Sequence, residues 1–396
     1  MRKFTCLLFY LLLSELLHAS TQSEDSTQIF LLTCHPGRDA VTIYGHSAIR
    51  ILRTSVGLDS VYSWGVYDFN APNFVWKFAK GRLKYRINSD SYKGFLREYF
   101  LEQRSIISQK INLTNNEKEL IIALINNNMK PENKFYLYNF FYDNCSSRVR
   151  DIIEKTTGDR LLYPNEFIKD QPSFRGMINK AQKPMPWFTL GTDLLIGSSG
   201  DNKAGFRDQM FLPEDLIKNL SLTMIKDTDK IIPLLQKPET VLDFKPVTLD
   251  NRIFLSPIFI FCVLLIIILI LSIFIKRGKS IDFIDIFLFF IFSILSILMI
   301  FFNFFTDHQA MKMNFNILWL NPFLIIAFLA LFAKKKNPIW FKIVFLTSIG
   351  FLLSIVIIPQ SINLACIPLI LLLILRSSAR SKFRFATFLH TESMIS

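Results

Sequence analysis

The spacing of hydrophobic and polar positions divides this chain in two. Up to about residue 250, apolar residues come in short runs broken by polar ones. The β-branched and aromatic runs at 29–33, 41–51 and 61–67 predict strands. Residues 117–129 predict a helix starting after Asn115 or Asn116, and the aromatic run 135–141 predicts a strand or the approach to the next helix. Beyond Cys145, Val149, Ile152 and Ile153 recur at helical spacing, with Asp143 or Asn144 placed to cap. From Gly158 to Pro213, Pro, Gly and Asp become frequent, which predicts a loop-rich stretch around Trp187. After residue 252 the pattern changes. The apolar runs 253–275, 281–305, 315–333 and 339–358 are each long enough, at about 1.5 Å per helical residue, to cross about 30 Å of hydrocarbon. A fifth run, 362–375, is marginal in length and carries Pro368.

Charge placement orients these runs. Arg2 and Lys3 precede an apolar stretch at 4–17 followed by Ala19 and Ser20, which reads as an export signal over residues 1–20. Leu17 and His18 depart from a small-residue cleavage site, so an uncleaved anchor is the alternative. Lys276, Arg277 and Lys279 follow the first span, Lys334, Lys335 and Lys336 the third, and Arg376, Arg380, Lys382 and Arg384 the fifth. The loops after the second and fourth spans hold Lys312 alone. Under the positive-inside rule the first span enters from outside, in agreement with the signal. The expected layout is an exported domain at 26–235, a polar linker at 236–252, a helical membrane domain at 253–376 and a cytoplasmic tail at 377–396.

Hydrophobic residues make up 51% of the chain, and its 40 phenylalanines, many of them in the last third, suit a lipid-facing protein. The formal charge of +13 lies largely in clusters between apolar runs, so no nucleic-acid surface is expected. The aromatic, basic stretch 74–85 fits either core aromatics with solvated lysines or a face lying on an anionic membrane.

Two short segments carry candidate chemistry: Gly45-His46 in a β-branched run, and Asp143-Asn144-Cys145 at a predicted helix start. A helix N-terminus favours a negative sulfur, and a histidine supplies the base that a cysteine nucleophile needs. A strand histidine facing a helix-start cysteine is the papain-type arrangement; with the histidine first, the fold would be permuted. Two other readings remain open. Cys145 is a small buried hydrophobe, or it forms a disulfide with Cys34, the other cysteine of the soluble part, within a non-enzymatic membrane scaffold. Cys6, Cys262 and Cys366 lie in apolar segments, and no Cys/His set has metal-ligand spacing, so neither metal nor cofactor is expected.

Several segments together resemble the Bacteroidetes lipoprotein N-acyltransferase family: Tyr44-Gly45-His46-Ser47-Ala48-Ile49-Arg50, Trp64-Gly65-Val66-Tyr67-Asp68-Phe69, Asp143-Asn144-Cys145-Ser146-Ser147-Arg148 and Met210-Phe211-Leu212-Pro213, with His308 and the run from Asn314 to Pro322 in the membrane part. The resemblance implies an α+β, permuted papain-like exported domain, similar to NlpC and lecithin:retinol acyltransferase, followed by a transmembrane domain of about five spans. It implies Cys145 as nucleophile and His46 as base. Ser63 stands where the family leads us to expect Asn. Asn144, Asp68 and Ser63 are candidates for support, and His308, Asn314 and Asn316 for the roof or floor of the site, beside the reading that they are interfacial polar groups. The implied reaction moves an acyl chain from a phospholipid, through a Cys thioester, to the N-terminal amine of an S-diacylglyceryl-cysteine lipoprotein in the inner membrane. A phospholipase or a cell-wall amidase or peptidase using the same pair is the alternative enzyme.

Overall fold

A computed structural model describes residues 27–164, 171–246, 253–274, 279–333 and 337–381. The export signal, the clusters Lys276–Arg277 and Lys334–Lys336, and nearly all of the tail lie outside them.

The first part is an antiparallel seven-stranded sheet covered on both faces. Its strands are β1 (Gln28–Cys34), β2 (His46–Arg53), β3 (Leu58–Val66), β4 (Lys84–Ser91), β5 (Ile106–Lys110), β6 (Phe135–Leu137) and β10 (Glu239–Leu242), in the order β10-β5-β1-β2-β3-β4-β6. Strand alternation sends Ile29, Leu31, Ile49, Ile51, Trp64 and Ile87 to one face. Three helices cover that face: α3 (Asn115–Met129), α4 (Cys145–Thr157) and α7 (Pro213–Ser221). Their apolar stripes, with Ile121, Ile125, Val149, Ile153, Leu216 and Leu220, complete the core. The other face presents Leu32, Cys34, Ala48 and Val61 to Phe95 and Tyr99 of α2 (Tyr92–Leu101). A small second sheet joins β7 (Leu161–Leu162), β8 (Met224–Asp227) and β9 (Lys230–Pro233).

Three expectations shift. The strand predicted from residue 41 starts only at His46, because Asp39 Oδ1 accepts the N–H groups of Val41 and Thr42 and curls them into a turn. The linker predicted at 236–252 begins inside the sheet: β10 pairs with β5, and Phe244 exchanges hydrogen bonds with Ser105. The membrane-domain boundary at residue 376 falls within a helix.

The second part holds α8 (Pro257–Phe274), α9 (Lys279–Ile300), α10 (Phe323–Ala330), α11 (Ile339–Ser354) and α12 (Cys366–Ser381). Pro257–Phe274 and Asp282–Phe305, the latter including a π turn at Phe301–Phe305, are long and apolar enough to span a bilayer; the remaining apolar helices are shorter. Arg376 and Arg380, expected in a free basic loop, instead lie in α12. Arg376 donates to both carboxylate oxygens of the fully buried Asp285 and to Ser272 Oγ of α8, and Arg380 pairs with Asp282 and Asp285.

Two helices, Phe74–Lys80 and Pro186–Leu195, join the parts, and a third, Phe174–Ala181, braces the end of the latter. Helix α1 (Phe74–Lys80) lies on the outer end of α9: Trp76 packs on Phe301, Lys80 Nζ donates to Phe305 O, and Arg82 pairs with Asp307. Helix α5 (Phe174–Ala181) carries Arg175, whose buried guanidinium holds Asp193, Asp201, Ile196 O and Gly197 O. Helix α6 (Pro186–Leu195) places Leu190 in the helical core of the second part, while Trp187 donates to Leu255 O and Asn363 to Asp193.

Candidate active site

The approach to Cys145 is a tight turn. Asn139 and Asp143 form an antiparallel bridge, and Asn139 Oδ1 accepts from Phe141 N and Tyr142 N. Asn144 then caps α4: its Oδ1 accepts from Ser146 N and Ser147 N, and its N–H donates to Ser147 Oγ. Its Nδ2 donates to Phe140 O and Phe211 O, tying the helix start to the segment before α7. Asp143, the other candidate cap, instead makes a bidentate pair with Arg148, whose guanidinium stacks 3.5 Å from the Tyr136 ring centroid.

Cys145 is the first residue of α4, partly open to solvent and a free thiol. Its Sγ lies 3.9 Å from Ser146 Oγ, and the backbone N–H groups of Ser47 and Ser146 and the Tyr138 hydroxyl act on it electrostatically. Strand β3 makes room for it. The pairing of β3 with β4 slips between Ser63 and Val66, and Gly65 sits at φ +87°. A Cβ on Gly65 would lie 3.7 Å from Cys145 Cβ and 3.3 Å from the Tyr138 ring. Only glycine suits both the backbone and the space there.

His46 opens β2 directly opposite Cys34, next in chain to the Ser47 whose N–H reaches the sulfur. By alternation His46 lies on the α2 face and Ser47 on the α4 face, where its Oγ is 3.2 Å from Ser146 Oγ. The fold therefore brings histidine and cysteine to the same end of β2. Among the described residues no hydrogen bond joins the imidazole to Sγ. Burial, with the Arg104 charge nearby, lowers the His46 pKa to about 4, so the ring is neutral at physiological pH. Burial also raises the Cys145 thiol pKa, outweighing the N–H groups that favour the thiolate. The expectation that the helix N-terminus lowers it is thus reversed: site and base rest as a neutral pair.

The two soluble-domain thiols are both free, which removes the Cys34–Cys145 disulfide reading. Cys34 is turned into the core, hydrogen-bonded to Tyr99, and burial pushes its pKa up to about 12.

The other candidates lie apart from the sulfur. Ser63 is buried in β3 opposite Ala48, and the exposed Asp68 accepts from Asn70 N within its own turn. His308 Nε2 lies 2.7 Å from Phe78 O, docking α1. Asn314 donates to Leu194 O and Leu195 O, and Asn316 Oδ1 accepts from Trp319. These three join the two parts of the molecule rather than lining the thiol. Ser47, Gly65, Ser146 and Tyr138 surround the sulfur, yet sequence reasoning assigned them no role. A glycine inside a strand was the one available signal.

Comparison with known families now adds to this geometry. Residues 17–170 match the Lnb N-terminal periplasmic domain, and residues 249–385 match the Lnb transmembrane domain. The chain belongs to the Lnb-like family. It is a membrane protein with a periplasmic N-terminal domain and a C-terminal transmembrane domain. No curated protein and no solved structure matches it. The Lnb-like chain is thus an α+β sheet domain carrying the Cys145 site, joined to apolar helices, and its family suggests a role like that of a lipoprotein N-acyltransferase.

Proposed function

We propose that this Lnb-like protein is an inner-membrane lipoprotein N-acyltransferase with a permuted papain-like Cys-His site and five membrane spans. The supporting observation is Cys145 at a helix start, facing the N–H of Ser47, the residue next to His46, in a chain that matches both Lnb domains. The donor is a phospholipid, and the acceptor is the N-terminal amine of an S-diacylglyceryl-cysteine lipoprotein.

In the first half, His46 takes the Cys145 proton and Sγ attacks the donor ester carbon. The C–O bond breaks, the lysophospholipid alkoxide leaves with the proton from His46, and a thioester remains. In the second half, the acceptor amine attacks the thioester carbon and His46 accepts its proton. The C–S bond breaks, an amide forms, and the proton returns to Sγ. In this reading the His46 imidazole, which lies on the α2 face, turns round the end of β2 to meet Sγ when the donor binds. The N–H groups of Cys145 and Ser47 and the Tyr138 hydroxyl suit an oxyanion at each tetrahedral stage.

Mass spectrometry of lipoprotein N-termini tests the reading. Cells carrying the wild-type chain should yield N-acylated termini, and cells carrying Cys145→Ser should not. Purified enzyme given phospholipid without acceptor should hold one acyl chain on Cys145, released by neutral hydroxylamine. Full transfer by Cys145→Ala would overturn the assignment.

A further inference from the structure

A row of aromatic rings leads away from the thiol, beginning at Tyr138. Tyr138, hydrogen-bonded to Cys145, has its ring centroid 4.5 Å from Tyr85. Tyr85 lies 5.2 Å from Tyr67, and Tyr67 lies 5.9 Å from Phe74 and 4.7 Å from Phe69. Phe74 stacks 6.3 Å from Phe78, whose ring is 6.2 Å from His308. The row thus runs without a break from the sulfur to the outer ends of the membrane helices. Tyr138, Tyr85, Tyr67 and Phe74 are half-buried, and Phe69 and Phe78 are 67% and 50% exposed. A packed core would cover these faces. Folded proteins leave such contiguous apolar surface open where something binds.

The position of α1 narrows what that is. Its outward Val75 and Trp76 are 76% and 57% exposed, and Trp76 rests on Phe301 at the end of a spanning helix. Tryptophan and phenylalanine flanked by lysine suit the boundary between headgroups and hydrocarbon. Lys77, in α1 between Phe74 and Phe78 at the outer part of the row, carries no ion pair among the described residues. An occupant with a long apolar part and an anionic end meets both features, and the bilayer beside α1 is made of such molecules.

We propose that the rings from Phe78 to Tyr138 form the path along which one acyl chain of an anionic-headed membrane lipid leaves the bilayer and reaches Cys145. The inference rests on the transferase reading for its purpose, but not for its test. Apolar contact along the row replaces the lipid surroundings that the chain gives up. Lys77 holds the phosphate-bearing end at the surface. The row therefore sets which chain lengths bring their ester carbon to Sγ.

The test uses the full chain in phosphatidylethanolamine–phosphatidylglycerol vesicles, with N-ethylmaleimide as a soluble probe and N-dodecylmaleimide as a membrane-borne one. Adducts are read at Cys145 by mass spectrometry, with Cys145→Ser as blank. The wild type should react with both. Phe74→Asp and Tyr67→Asp should slow the dodecyl reaction by about tenfold or more, the worth of roughly two methylene contacts, while the ethyl reaction reports the folded thiol. Phe74→Leu should restore the dodecyl rate. Phe135→Asp, exposed but outside the row, should change neither rate. A dodecyl rate that is unchanged across the row variants, or absent in the wild type while the ethyl probe reacts, overturns the path. Lipoprotein transfer measured in parallel keeps the two readings separate. Row-dependent labelling without transfer supports the path while removing the acceptor chemistry.

Discussion

At the residue scale, the site is a sulfur held by hydrogen-bond donors rather than by a charged partner. Cys145→Ser and His46→Ala should each abolish transfer while the protein still accumulates in the membrane, and the double variant should be little worse than either, since such pairs act as a unit. Lipoprotein mass spectrometry reads all three. Tyr138→Phe removes one donor from the sulfur and its oxyanion, and should lower transfer by about a hundredfold with little change in folding. Titration follows from burial. The raised thiol pKa means that Cys145 alkylation should keep rising with pH beyond the range of an ordinary thiol. His46 has the opposite sense, binding its proton at about 4 when folded against an ordinary value of 6.5. The unfolded chain thus holds more protons between those values. Stability is full above 6.5 and falls as pH drops toward 4, by on the order of 3 kcal/mol. Thermal unfolding across that window should show the loss, and His46→Gln should flatten it.

At the element scale, helix α4 owes its position to Asn144, which faces two ways. Oδ1 serves the helix N–H groups, while Nδ2 serves Phe140 O and Phe211 O. Capping alone would let Asp replace it. Here Asn144→Asp would set a buried carboxylate against two carbonyls, so it should destabilise more than Asn144→Ala, and both should slow thiol alkylation. Comparing melting temperatures of the two variants decides the point. This doubled role also shows how far the sequence could be read. Strands β1 and β3, helix α3 and the apolar stripe of α4 were legible because period and capping are local signals. The helix-start cysteine and the strand histidine were legible for the same reason. The turn at 41–44 was not, since one aspartate outweighed four β-branched or aromatic neighbours. Nor were Ser47, Gly65 and Tyr138, whose importance comes from packing among β2, β3, α4 and the turn after β6. The membrane aspartates were passed over because their partners lie about ninety residues away.

At the scale of the whole molecule, the exported and membrane parts share surfaces rather than a tether. Leu190 sits in the helical core, and α6 is bonded through Trp187, Asp193, Leu194 and Leu195 to three separate membrane-part segments, at Leu255, Asn363 and Asn314. The exported domain alone should therefore expose the apolar face of α6 and lose transfer to membrane-embedded acceptors, while a soluble maleimide still labels Cys145. Transfer at the full-length rate by the isolated domain would make the spans a mere anchor.

The cluster at the other end of the membrane part bears on how the protein is made. Asp285 belongs to the second apolar helix synthesised, whereas Arg376 and Arg380 belong to the last. Asp285 stands one turn into the span Asp282–Phe305, where an unpaired carboxylate costs part of the roughly 3 kcal/mol of a helix centre. Until translation delivers α12, α9 carries that cost without relief. Ribosomes that stop early would leave a helix that sits poorly in lipid and marks itself for proteolysis. Helix α12 thereby relieves a charge that α9 has carried since its own synthesis.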